Sequence, residues 1–386
     1  NGGFLSGAAQ FFTDERAKAL YKQRLQYLVS RYAHSPAVFA WEFFNEVDIT
    51  DGYTPQGMAV WTKEMAQFLR SIDIYRHPIS TSFCCQEPAQ VWTLPEMDFV
   101  MVHSYSRHNG SDMADNSQFS TVSTSQRFGK PTYVAETGEN GRSNNKSGPA
   151  FPADPTGIGL HNALWASMTS MGAMCSAVWW WDNWVAPERL YHHFTPVKKF
   201  ADSVAWPSFV WKPIGHNGNR HCTDTNPDSH VPPKYSCAFQ KNVGKCDGGP
   251  NGTNPWMTGM CCKTCHPDNA TACEKCSALG KQGGGGHVAL QLGSGAQAYG
   301  MTGRSAGSQK VSIVVMWLQN RNHSFGQQNA SLPASERPEL NEIKGLVVDL
   351  STVAGHGLSG KLAAVFTDTA SGASSEAQSL DCPADC

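Results

Sequence analysis

The chain has 386 residues, a formal net charge of −2 and only 16% charged residues. That length allows two or three domains, and the near-neutral balance, with no basic run or stripe, argues against a nucleic-acid surface. The longest apolar stretch, around Met171 to Trp181, is about half of what a membrane span needs.

In chain order, Thr13 or Asp14 caps a helix over residues 13–33, with Leu20, Leu25, Leu28 and Val29 as its apolar stripe. A Ser35-Pro36 break follows, and then an apolar run from Ala37 to Phe44 that ends in Asn45-Glu46. Such a run predicts a strand buried on both faces, as in a parallel sheet. The pattern repeats with a helix near 57–72, strands near 78–83 and 98–103, a segment at 118–128 and a strand at 131–136. A helix at 158–172, a strand near 174–181 and a last helix near 189–203 complete the alternation. Strands alternating with helices predict a parallel α/β architecture.

After Trp206 the composition changes. Residues 207–286 are rich in Pro, Gly, Asn and Cys, and eight of the 13 cysteines fall between Cys222 and Cys276. From His287 to Cys386, short alternating runs such as Val311–Trp317 and Leu362–Thr367 predict a small antiparallel β-domain. The expected division is a barrel-like domain at 1–206, a disulfide-rich module at 222–276 and the β-domain at 287–386, with linkers at 207–221 and 277–286. Cysteine density and six glycosylation sequons, at Asn109, Asn145, Asn251, Asn269, Asn322 and Asn329, predict a secreted, extracellular glycoprotein. No signal peptide is visible at Asn1, so the sequence is expected to be mature or incomplete.

Two carboxylates stand out. Glu46 follows Ala40-Trp-Glu-Phe-Phe-Asn45, and Glu136 follows Thr132-Tyr-Val-Ala135, each at the C-terminal end of an apolar strand. In a barrel of parallel strands, chemistry is assembled at that end. Glycoside cleavage needs one carboxyl to protonate the leaving oxygen and a second carboxylate on the opposite face of the sugar. Glu42, inside the first of these strands, is a buried charge expected to need a partner and is read as structural.

Four motifs in order then resemble the glycoside hydrolases of clan A, family 5, the cellulase/β-mannanase group. Trp41–Glu46 resembles the fourth barrel strand, Phe99–Tyr105 the sixth, Lys130–Gly138 the seventh and Ala177–Trp184 the aromatic eighth. Leu190-Tyr-His-His-Phe194 is similar to the helix after that strand, and the resemblance spans about residues 10–205. It implies a (β/α)₈ TIM barrel, of which this chain carries strands 4–8. It also implies a retaining endo-β-1,4-glycanase that takes mannan or glucan without a cofactor or metal. Glu46 is then the acid/base, Glu136 the nucleophile, and Asn45 the residue that holds the sugar 2-hydroxyl. His103 and Tyr105 orient the nucleophile; alternatively they are a buried pair that satisfies backbone groups. Trp180, Trp181 and Trp184 offer flat faces for pyranose rings, although a barrel core can absorb one or two of them. Asp182 is either a hydroxyl ligand or a helix cap. A protonated Glu46 is expected, with its pKa raised by the charge of Glu136 and by partial desolvation, and a carboxyl separation of roughly 5–5.5 Å.

The fourth strand arrives near residue 38 with only a helix before it. Strands one to three, on the order of 100 residues for this fold, are therefore expected from a preceding segment or a companion chain. The run Cys222–Cys276 resembles the six-cysteine ShKT domain of sea-anemone potassium-channel toxins, notably in Cys262-Lys-Thr-Cys265. That resemblance implies bridges Cys237–Cys261 and Cys246–Cys265, with Cys222 joining Cys273 or Cys276. Cys262 and one of the last two are extra, and a fourth bridge between them is expected. Zinc is the rival reading, because Cys262/Cys265 and Cys273/Cys276 have ligand-like spacing, but the loop between them is short. Cys382 and Cys386 pair locally in this reading, Cys84 and Cys85 stay open, and Cys175 is the free thiol. The alternative to an enzyme is a non-catalytic extracellular glycoprotein on a glycosidase-like scaffold. A metal-dependent hydrolase is disfavoured, since His192-His193 lies away from the strand ends.

Overall fold

The computed structural model describes residues 3–84, 88–107, 113–140, 154–213, 296–308, 311–320, 360–365 and 367–382. The cysteine-rich module, all six sequons and Cys386 lie outside these residues, as does the side chain of Cys382.

Helix α1 (Glu15–Tyr32) starts where Asp14 accepts the Ala17 amide at 2.8 Å, which satisfies one of the orphan donors of the first turn. Helix α2 (Pro55–Ile72) opens with Thr54 as cap and Pro55 at its first position, where proline lacks only an amide that would be unpaired anyway. The two helices cover short parallel strands: β1 (Trp41–Glu42), β2 (Ile79–Ser80) and β3 (Ser82–Phe83). After the single turn α3 (Ala89–Trp92), β4 (Val100–Arg107), α4 (Met113–Phe128) and β5 (Thr132–Asn140) follow in β-α-β order.

Strand β1 pairs with β2, β3 with β4, and β4 with β5, all parallel. The segment near 172–179 then lies alongside β5: Ala173 donates to Thr132 O at 2.7 Å and Trp179 to Thr137 O at 3.0 Å. Sequence neighbours are thus spatial neighbours, with helices as crossovers, which is how a (β/α) barrel wall is built. The wall leads into α5 (Ile158–Met168) and α6 (Phe194–Ser203) on its outer side. No described helix is long and apolar enough to cross a membrane.

Several sequence expectations are corrected. The run 37–44 is strand only at Trp41–Glu42, and it is not buried on both faces, since Phe39 is 55% exposed. Its ladder partner among the described residues is β2, on one edge. The segment at 118–128 is helical from Met113, with Ser117, Thr121 and Thr124 buried against neighbours, so small polar residues hid its inner face. The eighth-strand position, 174–181, pairs through isolated bridges rather than a continuous ladder. Phe209–Pro213, expected in a linker, forms β6 and pairs antiparallel with β7 (Ala296–Ser305), which pairs with β8 (Ile313–Asn320). A separate hairpin joins β9 (Gly360–Ala364) to β10 (Gln378–Cys382).

Two apolar clusters hold the molecule. One gathers Leu25, Trp61, Met65, Leu69, Ile79, Phe83 and Val134 between α1, α2 and the parallel strands. The other joins Leu160, Leu164, Trp165 and Trp184 to Tyr299 and Trp317 of the C-terminal sheet. Tyr299 and Trp317 stack with centroids 5.1 Å apart, and the Tyr299 hydroxyl meets Asp115 Oδ1 of α4 and Gln319 Oε1, both at 2.8 Å. The sheet β6-β7-β8 therefore shares a core with the α/β portion, instead of hanging from it as a detached domain.

Candidate active site

The site is built just beyond β1, where the chain supplies Glu46, and at the middle of β4 and β5, where His103 and Glu136 lie side by side. Both strands run on past the ends expected from sequence, to Arg107 and Asn140. His103 Nδ1 lies 2.7 Å from Glu46 Oε1 and 3.2 Å from Glu136 Oε2. One donor or acceptor atom from each of the three lies within 4.8 Å of the others. The Tyr105 hydroxyl donates to Glu136 Oε2 at 2.7 Å. The side chain of His103 is 2% exposed, Glu136 10% and Glu46 22%, so of the two carboxylates Glu46 keeps the greater access to solvent.

Backbone irregularities aim these groups. Along β4 and β5, Val102 is level with Val134, but His103 is level with Glu136, so Ala135 is an extra residue. Val134 packs into the core beneath the helices. Strict alternation would send Glu136 to that same face; the bulge returns it to the side of His103. Glu46 has φ 48° and ψ 47°, a left-handed conformation that is uncommon for a residue with a Cβ. It opens the short helical turn Val47–Ile49 after β1 and directs the carboxyl toward His103.

Burial is the main influence on Glu136 and pushes its carboxyl above the usual range. The Tyr105 hydrogen bond and the positive character of His103 pull it down, while the charge of Glu46 pushes it up. Burial and the Glu136 carboxylate together drive the Tyr105 hydroxyl far up, so that it stays a donor.

The aromatic residues divide. Trp184 is 2% exposed and its indole N–H donates to Asp154 O at 2.8 Å. It is a core residue and offers no face to a ligand, which corrects the expectation of a sugar contact. Trp181 is 60% exposed on a π-helical turn, Trp181–Val185, beside Asp182, which is also exposed. That turn receives no cap from an Asp182 side chain. Trp180 packs over the site: its ring lies 6.5 Å from that of Tyr105, and a Cβ on Gly138 would meet its Nε1 at 2.6 Å. Gly138 is therefore the close approach that admits Trp180. Asn45 is exposed next to Glu46, with its Oδ1 3.4 Å from Ser82 Oγ.

Two features were illegible or half-legible in the sequence. Glu42 has its partner: it accepts the Ser82 hydroxyl at 2.6 Å, although part of the residue is open to solvent. Ser82, not singled out by any motif, sits at the centre of this corner; the only signal was a polar Ser80-Thr-Ser82 tail on an apolar strand. Cys175 is a free thiol, pushed up to about 12 by burial, and Cys84 is disulfide-bonded.

In sequence the chain is similar to glycoside hydrolases. Mannan endo-1,4-beta-mannosidase 7 of Arabidopsis thaliana is 27% identical over 140 residues, 30% of this chain and 32% of that protein. Mannan endo-1,4-beta-mannosidase 8 of Oryza sativa subsp. japonica is 29% identical over 122 residues, 30% and 32% of the two chains. Mannan endo-1,4-beta-mannosidase A of Podospora anserina is 38% identical over 63 residues, 16% and 17%. The chain spans about a third or less of the length of these relatives. No family model matches it. Among solved structures, an endo-beta-1,4-mannanase from Thermotoga petrophila aligns with 34% of this chain and 36% of that one, at 21% identity and a TM-score of 0.27. That score is too low to bear on the fold.

Proposed function

We propose that this protein is a retaining, mannanase-like β-glycoside hydrolase that cleaves internal β-1,4 links by double displacement. The observation that carries the reading is the pair Glu46 and Glu136, one oxygen of each within 4.8 Å of the other and both facing His103 Nδ1. Retaining enzymes hold their carboxyls about 5–5.5 Å apart, whereas inverting enzymes need roughly 6.5–9.5 Å to admit a water.

In this reading Glu136 is the nucleophile. Tyr105 engages its Oε2, stabilises the ionised form and leaves Oε1 to attack the anomeric carbon. Glu46 is the acid/base, and its partial exposure lets it exchange a proton with solvent between the two half-reactions. His103 bridges both carboxyls and sets their spacing. Asn45 holds the 2-hydroxyl, Trp180 and Trp181 provide sugar platforms, and Asp182 is a hydroxyl ligand at the rim.

The relatives are named for mannan, and that supports β-mannan as substrate. The bonded Cys84 supports an extracellular protein, because disulfides persist in oxidising compartments. The test is hydrolysis of mannan, cellulose and xylan by the protein and by Glu136→Gln. Retention is read from the anomer released first, by proton NMR. Equal activity of the two proteins sinks the assignment, and a folded chain inert on all three polymers favours the scaffold reading.

A further inference from the structure

The left-handed backbone of Glu46 needs an explanation. A residue with a Cβ in this region carries roughly 1–2 kcal/mol of strain, and it persists only where the surroundings over-determine it. Among the described residues, the acceptor facing the Glu46 amide is Ser82 Oγ, at 3.4 Å. That contact is long, but the hydroxyl is not free to turn away from it. Its proton is drawn to Glu42 Oε1 at 2.6 Å, the shortest of its contacts, ahead of Phe44 O at 3.2 Å and Asn45 Oδ1 at 3.4 Å. A hydroxyl has one proton and two lone pairs; once Glu42 takes the proton, the lone pairs are left for the Glu46 N–H.

The neighbouring backbone is pinned from the same segment, which runs from β2 into β3. The Ser82 amide donates to Phe44 O at 3.1 Å, and the Phe43 amide to Ser80 O at 3.1 Å. Ser82 itself is fully buried. Thus a glutamate in β1, a serine in β3 and the turn after β1 form one chain of hydrogen bonds that ends at the residue whose carboxyl touches His103.

We infer that Ser82 is a positioning residue for Glu46, with its hydroxyl oriented by Glu42 so that it supports the turn that aims the Glu46 carboxyl. Ser82 acts on the chemistry through that turn, whereas Glu42 also lies close enough to His103 and Glu136 to feel their charges. The inference rests on the proposed glycosidase reading for its kinetic consequence but not for its structural one.

The experiment compares Ser82→Ala, Ser82→Thr and Glu42→Gln with the wild-type protein. One readout is kcat and KM on β-mannan; the other is hydrogen exchange of the peptide spanning residues 43–49. Losing one such hydrogen bond corresponds to about a three- to tenfold effect. Ser82→Ala is expected to lower kcat by that factor with KM changed less than twofold, and to speed exchange of the Glu46 amide. Ser82→Thr, which keeps the hydroxyl, restores both. Wild-type exchange at Glu46 in a folded Ser82→Ala protein overturns the inference, whatever happens to kcat. If that variant does not fold, Glu42→Gln decides by the exchange readout alone, since the Glu42 charge also acts on His103 and Glu136. Its weaker acceptor should speed Glu46 exchange by an intermediate factor, and wild-type exchange there overturns the inference. A wild-type protein inactive on every glycan defeats the glycosidase reading, while the exchange arm still settles the role of Ser82.

Discussion

Tyr105 donates its hydroxyl to Glu136 Oε2 at 2.7 Å from the neighbouring parallel strand. The bond opposes the effect of burial, which pushes the Glu136 carboxyl up. Removing it in Tyr105→Phe should let that carboxyl rise further, because a donor to the charged form favours ionisation. The attacking form is the carboxylate, so the acid limb of the kcat/KM profile should move to higher pH, by about one unit. An unmoved limb would show that Glu136 does not control it.

Glu136→Gln should reduce turnover on β-mannan by at least about a thousandfold, as expected when a group that forms the covalent intermediate is lost. Glu46→Gln should be comparably damaging with substrates whose leaving group needs a proton, and much less so with an activated aryl glycoside. Stopped-flow and steady-state rates on the two substrate types distinguish the roles.

The same substitution carries a stability prediction with a defined sign. The folded-state pKa of Glu136 lies above its unfolded value because of burial. The folded state therefore binds the proton more tightly, and stability falls as pH rises through that pKa. Glu136→Gln has no charge to desolvate. Its melting temperature should exceed that of the wild type at pH 7 by roughly 2 °C, and the gap should close at acidic pH where Glu136 is protonated. A gap that widens on acidification would contradict the burial argument.

The tryptophans separate into two outcomes. Trp184→Ala empties a fully packed site and leaves Asp154 O with only the longer bond from the Gly157 amide, at 3.3 Å, so a loss of about 3–5 kcal/mol in unfolding free energy is expected. Trp181→Ala removes an exposed ring. It should leave the melting temperature nearly unchanged and raise KM for mannan about two- to tenfold, the range of one stacking contact.

Tyr299→Phe tests whether the C-terminal sheet is part of the main core. Its hydroxyl reaches both Asp115 and Gln319, and removing a buried donor costs about 1–3 kcal/mol. Chemical denaturation should show one cooperative transition shifted by that amount. Two separate transitions, only one of them shifted, would indicate an independent domain.

The amino-acid sequence by itself determined the alternation of helices and strands, because apolar periodicity is local and survives any arrangement of the chain. It also marked Glu46 and Glu136 as the acidic residues that close apolar runs, although β1 stops at Glu42 and β5 continues to Asn140, and it singled out His103 and Tyr105 two residues apart on one strand face. The polar inner face of α4 and the strand at Phe209–Pro213 were hidden. In the first, buried serine and threonine mimic a surface; in the second, the pairing partner lies some ninety residues away.

Only the tertiary structure decided what the carboxylates face. The extra residue Ala135 and the left-handed Glu46 are φ/ψ and register choices made by neighbouring strands, and no period in the sequence records them. Partition of the tryptophans between core and surface depends on Asp154 and Gly138, distant or small residues that set where an indole fits. Side-chain chemistry was legible along the chain. Which groups meet was a matter of how parallel strands register against one another, and that is a property of the assembled sheet.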